Sequence, residues 1–272
     1  MVNQISICSA INYVKTKGSN FDQTKLAIIL NENAKKNSEK LLEYFTSLQN
    51  LDGGFPFGGQ AKNYSTVNVT TSYLLTMLDY NIYENPVFNN ALNFIIQNQH
   101  IDGYWNEPGL IISYKPPKWD DPREPYTPIW LTANICFLLA RLGLDANSYF
   151  KKGIDYLLDN LEDNGKIKGY LQATWLTVAA LSIIKYNDVV IKKLLDALNL
   201  NLKSVLNTSS TIWCLHSLID GGFNKENIVV KKLVENIISL QQKNGSWVSV
   251  DGETFDTSTT LEAIFLFKKL IF

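Results

Sequence analysis

The sequence predicts an all-α protein of the α/α toroid class, with about six outer and six inner helices closed into one ring over residues 1–272. Three observations predict it. A short phrase recurs: a glutamine, an Asp-Gly or Asn-Gly pair, and an aromatic six positions after the glutamine. Half-polar helical stretches alternate with stretches that are apolar nearly all round. Period-two strand patterns are almost absent.

The phrase reads Gln49-Asn-Leu-Asp52-Gly53-Gly54-Phe55, then Gln99-His-Ile-Asp102-Gly103-Tyr104-Trp105, then Gln241-Gln-Lys-Asn244-Gly245-Ser246-Trp247. The first two copies lie 50 residues apart, and the gap to the third is close to three further periods of about 47. A decayed copy survives as Leu161-Glu-Asp-Asn164-Gly165-Lys166-Ile167, and near Asn201 only Lys-Ser-Val-Leu is left. Asp-Gly and Asn-Gly form turns because Gly tolerates positive φ while Asp and Asn bond back to the backbone. The glutamine is placed to satisfy orphan carbonyls at a helix end, and the aromatic to pack under the next helix. On this reading the phrase staples the fold and does no chemistry.

The elements follow in order. Gln4–Lys15 and Gln23–Leu30 form the first pair. Ser38–Gln49 carries a one-sided stripe of Leu41, Leu42, Tyr44, Phe45 and Leu48. Asn85–Gln97 starts with Asn85 as cap and Pro86 at the first helical position. Lys151–Leu161, Val189–Leu200 and Ile228–Gln241 are likewise half polar, as outer helices facing water would be. The runs Thr132–Ala140, Thr174–Ile184 and Thr260–Phe267 are apolar on all sides and read as inner helices. Residues 107–126 form a long loop holding five of the eight prolines, either an ordered lid or a surface connection with solvated charges.

Composition narrows the function. Net charge is −1 with no basic block, which argues against nucleic acid as a partner. No apolar run reaches the ~18 residues of a membrane span. The first residues lack the basic and apolar regions of a signal peptide. Cys8, Cys136 and Cys214 lie in apolar contexts and read as buried free thiols in a reducing compartment, so a cytoplasmic location is expected.

The phrase resembles the repeats of squalene-hopene and oxidosqualene cyclases, and is similar to those of protein prenyltransferase β subunits. The resemblance spans Ser38 to Phe272. It implies a toroid enclosing an isoprenoid chain, and activity, if any, that cyclises or isomerises it. A small hydrophobic ligand is the expected partner, with peripheral membrane association possible for so apolar a substrate. The alternatives are a non-catalytic binding toroid and a polysaccharide-processing α/α barrel. No cofactor is expected.

Class II cyclases of that family carry Asp-x-Asp-Asp-Thr, whose middle Asp is the acid. The nearest match is Glu253-Thr254-Phe255-Asp256-Thr257, with Phe255 at the acid position. Asp256 is therefore either a catalytic acid or a helix N-cap. The prenyltransferase zinc site finds no counterpart. Cys214 and His216 are two residues apart on one helix and diverge by about 200°, so His216 reads as a core or cavity residue and no metal is expected. Asp120, Asp121 and Glu124 mimic a magnesium motif by spacing, but the prolines around them deny it the helical face it needs. They remain candidate proton donors, Asp121 and Glu124 with Asp256 foremost. Tyr73, Trp130, Trp175 and Trp213 lie in the first halves of inner helices. With Tyr126 and His216 they are the candidate lining of a ligand cavity, where aromatic faces would stabilise cations. Alternatively, they simply fill the barrel.

Overall fold

The structure is a computed structural model that describes residues 6–60 and 63–271. Among these residues are twelve α-helices and one ribbon of two-residue strands, Phe55–Pro56 paired antiparallel with Ser65–Thr66. The fold class is the expected all-α one. The predicted start of the first helix at Gln4 lies outside the described residues, as does Phe272; the helix runs Ile7–Lys17 (α1). No helix among the described residues is long and apolar enough to cross a membrane.

The chain groups into two compact units, Leu42–Ala197 and Met1–Leu41 with Leu198–Phe272. The first holds α4 (Val67–Asp79), α5 (Pro86–Gln97), α6 (Thr127–Arg141), α7 (Ser148–Asp159) and α8 (Leu171–Ile183). In this unit α6 packs along α8 on one side and α4 on the other, with α5 and α7 outside them. In α6 every residue from Ile129 to Ala140 is buried, as an inner helix requires. The predicted start of α5 is observed: the Asn85 side chain accepts from the Phe88 amide, and Pro86 follows.

The second unit holds α1, α2 (Asn20–Ile29), α10 (Thr208–Asp220), α11 (Ile228–Leu240) and α12 (Asp256–Ile271). Here α12 packs against α10 and also against α1 and α2, so the first helix pair continues the layering begun by the last. Two helices cross from one unit's residues to the other's, α3 (Ala34–Leu48) and α9 (Asp188–Leu200).

The recurring phrase sits at outer-to-inner connections and makes the same bonds each time. Gln49 Nε2 donates to the carbonyl of Gly53 in its own turn and to that of Val87 in the next outer helix, both at 2.8 Å. Gln99 Nε2 does the same with Gly103 and Tyr149, both at 2.8 Å. Gln241 Nε2 bonds Gly245 at 3.0 Å and Ser6 at 3.1 Å. The glycine has positive φ (+92° at Gly103), and a Cβ there would meet the Lys152 carbonyl at 2.5 Å. The turn thus lies flat on the following outer helix.

A further link was not anticipated. The amide of the phrase's last residue donates to a threonine hydroxyl on the next inner helix: Phe55 to Thr70, Trp105 to Thr132, Trp247 to Thr260. The decayed copy keeps it, since Ile167 donates to Thr174 at 3.0 Å. Near Asn201 the polarity reverses, and Thr211 Oγ1 donates to the Val205 carbonyl. Trp105 and Trp247 are wholly buried, and their indole N–H groups donate to Ile95 and Ile237 carbonyls.

Candidate functional site

The Pro-rich loop 107–126 folds over the N-terminal ends of α4, α6 and α8. It contains two short 3-10 helices, Gly109–Tyr114 and Lys118–Asp120. Side chains at its base fasten it. Asn106 Nδ2 donates to the Pro122 carbonyl, closing the loop on itself. Thr127 Oγ1 donates to the Asp121 carbonyl at 2.8 Å, and Trp130 Nε1 donates to the Trp119 carbonyl at 2.6 Å.

This folding buries two carboxyls. Glu107 is 4% exposed and Asp120 is 8% exposed. Asn68, in the first turn of α4, joins them. Its amide N–H donates to Glu107 Oε1 and its side-chain Nδ2 donates to Asp120 Oδ1, both at 2.8 Å. The Val67 amide donates to Glu107 Oε2, also at 2.8 Å. Thr66 caps the Val69 amide, so the first turn of α4 has its free amides satisfied.

The two acids hold protons unusually well. Burial pushes Glu107 up to about 8, aided by the nearby Asp120 charge and opposed by the two amide bonds. Burial pushes Asp120 up to about 6, opposed by its bond from Asn68. Glu107 has the higher value, yet both its oxygens already accept amide hydrogens. Among the described residues Asp120 accepts a side-chain bond on Oδ1 only, from Asn68, which leaves Oδ2 to carry a transferable proton.

The expected acids fall out differently. Asp121 sits next to Asp120 but forms a two-point pair with Arg123, Oδ2 to Nη2 at 2.6 Å and Oδ1 to Nε at 2.9 Å. The Arg123 bonds hold its carboxyl down to about 2, so it is an anion at any working pH. Glu124 is part-exposed, and its charge and that of Asp120 help raise the Tyr170 hydroxyl above the usual phenol range, after burial. Asp256 is not a helix N-cap: it has helical φ and ψ of −58° and −37°, and its carboxylate accepts from the Ser249 amide of the preceding loop at 2.7 Å. The picture of a loop bearing only solvated charges fails at Asp120, because the short helix at 118–120 turns that side chain inward.

The expected ligand-lining residues divide into groups. Trp130 is buried just below the loop, and Tyr126 lies against Gly169 and edge-on to Tyr170, ring centroids 6.1 Å apart. Gly169 has φ +92°, and a Cβ there would strike the Tyr126 ring at 2.8 Å. Trp175 is fully buried on α8. Tyr73 packs instead with Phe45 of α3 and with Phe55, ring centroids 5.1 and 4.9 Å away. In the other unit, Trp213 is part-buried on α10. His216 lies 2.9 Å from Lys269 Nζ and edge-on to Phe265, with Asp220 accepting from the same lysine. Cys214 is fully buried, and burial raises its thiol well above the usual range; Cys8, expected to be buried, is instead exposed.

Sequence reading did not single out Glu107 or Asn68. The available signal was small: a glutamate entering a Pro-rich loop, and an amide in the first turn of an inner helix.

Residues 21–191 match the family model for the squalene-hopene cyclase C-terminal domain. No curated protein sequence matches significantly. Solved structures of the same fold include a protein from Actinoplanes, with TM-score 0.67, 13% identity and 98% of each chain covered. A variant of the type II terpene cyclase MstE from Scytonema, in complex with geranylgeranyl dihydroxybenzoate, aligns with TM-score 0.63 at 15% identity, over 97% of this chain and 96% of that one. Another MstE variant, in complex with the product merosterolic acid A, gives 0.61 at 15% identity, over 97% and 95%.

Proposed function

The chain belongs to the squalene-hopene cyclase C-terminal domain family, and from that premise we propose that it is a terpenoid-cyclase-like enzyme started by a carboxylic acid. The observation that carries the reading is the buried pair Glu107 and Asp120, joined through Asn68, with protons retained up to about 8 and about 6. Protonating an alkene needs an acid that is neutral near working pH and held away from water. Asp120 is buried and keeps its proton up to about 6, whereas Asp121 is ionised against Arg123.

In this reading Asp120 Oδ2 gives its proton to the terminal alkene of a polyprenyl chain. The alkene's π electrons form the new C–H bond and leave a tertiary cation. A neighbouring alkene attacks that cation, closing a ring, and the final cation loses a proton to solvent, which restores an alkene while solvent reprotonates the Asp120 carboxylate. The product is an isomer of the substrate. Asn68 Nδ2 stabilises the Asp120 anion left after transfer, and Glu107 fixes Asn68 through its amide. The substrate is a prenylated small molecule, by analogy with the aromatic prenyl compound bound by the Scytonema cyclase.

The test uses geranylgeranyl dihydroxybenzoate as probe, alongside geranylgeraniol. The expected result is an isomeric cyclic product from wild type, and binding without turnover by Asp120→Asn, which keeps the shape and removes the proton. Equal product from both proteins moves the acid elsewhere. Binding by wild type with no product from either probe favours a non-catalytic prenyl-binding toroid.

A further inference from the structure

Asp120 and Asp121 are adjacent, yet they meet different partners. Asp120 accepts from Asn68 Nδ2 inside the protein, while Asp121 pairs with the exposed Arg123. A 3-10 helix advances about 120° per residue, so a slip of one residue in this turn would bring Asp121 inward and carry Asp120 out.

The turn does not settle its own rotation. The helix Lys118–Asp120 is a single turn, closed by two bonds: the Asp120 amide donates to the Pro117 carbonyl at 2.9 Å, and the Asp121 amide to the Lys118 carbonyl at 3.3 Å. Pro116, Pro117, Pro122 and Pro125 flank it and have no N–H to add. The remaining bonds come from α6. Thr127, the first residue of that helix, is wholly buried. Its hydroxyl shares one hydrogen between the Lys118 carbonyl at 3.2 Å and the Asp121 carbonyl at 2.8 Å. Those two carbonyls bracket Trp119 and Asp120. Trp130, three residues on, holds the Trp119 carbonyl between them at 2.6 Å. The Thr127 hydroxyl donates away from its own helix, so its hydrogen serves the loop and not α6.

We propose that Thr127 is a positioning residue: by clasping the Lys118 and Asp121 carbonyls it sets the rotation of the turn between them, and so selects Asp120 over Asp121 as the acid. A threonine hydroxyl suits the task. It is neutral and short, and its β-branched side chain has few rotamers, so the clasp is rigid. It also leaves the charge balance around Asp120 untouched. The other titratable groups near that carboxyl are Glu107 and the Tyr170 hydroxyl at the start of α8.

This rests on the reading of Asp120 as the acid, so its test follows the carboxyl and not turnover. The probe is an NMR titration of protein with isotope-labelled aspartate side-chain carboxyls, which keeps Glu107 out of the spectrum. The Asp120 signal is assigned by its loss in Asp120→Asn. Wild type should show that signal titrating near pH 6. In Thr127→Val, which keeps the shape and removes the hydroxyl, it should fall below about 5, toward the ordinary carboxyl value near 4. Both carbonyls keep a backbone partner in that variant, the Asp121 amide for Lys118 and the Glu124 amide for Asp121, so no buried acceptor is orphaned. Thr127→Ala is the second case and should show the same fall. Thr127→Ser restores the hydroxyl and should restore the wild-type titration. A signal that stays near pH 6 in Thr127→Val or Thr127→Ala, with or without a lower urea midpoint, overturns the assignment and leaves Asp120 as the acid. So does a failure of Thr127→Ser to bring the titration back. A wild-type protein with no aspartate titrating near pH 6 overturns the acid itself, and this inference with it.

Discussion

Asp120 and Glu107 gain a proton more readily in the folded chain than in the unfolded one, and that fixes a pH signature. A carboxyl whose folded pKa is raised favours the folded state below the unfolded value near 4, and loses that contribution as pH rises through the folded value. For this pair the window runs from about pH 4 to about 6 for Asp120 and about 8 for Glu107. Stability should fall across that range. Asp120→Asn removes one titration and should flatten the fall by up to about 3 kcal/mol, since each pKa unit is about 1.4 kcal/mol. Urea midpoints at pH 4 and pH 8 measure it, and identical pH profiles for wild type and Asp120→Asn mean that the carboxyl is not perturbed. Turnover, if carried by the Asp120 proton, should decline as pH rises through about 6. The two readouts therefore share a direction, set by one buried carboxyl pair.

At the scale of the element, the recurring phrase is a joint with four fixed parts. Glutamine ties two carbonyls, glycine presses on the next outer helix, the aromatic fills the gap, and a threonine receives its amide. Gly103→Ala should be among the costliest single changes, because φ is +92° and the Cβ would sit 2.5 Å from the Lys152 carbonyl. A loss of about 3 kcal/mol or more is expected, read from the urea midpoint; a loss under about 1 kcal/mol means that the joint yields freely. Thr132→Val keeps the shape of the side chain but leaves the buried Trp105 amide without an acceptor, and should cost about 1–3 kcal/mol. The same substitution at Thr174, which receives Ile167, tests whether the decayed copy still works as a joint.

For the whole molecule, the first helix pair completes the layering around α12. Gln241 reaches Ser6 through two bonds, donating to its carbonyl and accepting from its amide, and Gly245 lies against Ser9. Ala10 and Val14 of α1 are fully buried. A chain shortened to begin at Ser19 should lose roughly 2–4 kcal/mol from those side chains alone, together with the joint. The expected sign is a lower melting temperature with new binding of a hydrophobic dye. An unchanged melt means that α1 adds no stability.

The sequence by itself determined the layering. Outer and inner helices differ in apolar coverage, and that contrast is written in each helix's own residues, as in α5 against α6. It also determined the joints, because Gln99, Gly103 and Trp105 act within a few residues of one another and carry their turn chemistry locally. Threonine's part in the joint escaped because Thr132 stands 27 residues from Trp105. The candidate acid was decided by tertiary structure alone. Asp120 and Asp121 are neighbours in sequence and near-equals in chemistry, yet burial raises one to about 6 and Arg123 holds the other ionised. What separates them is which way a short 3-10 helix turns, and whether Asn68, 52 residues away, is there to receive one of them. A carboxyl's pKa is set by desolvation and by partners across space, and neither quantity is carried by the residue's own identity.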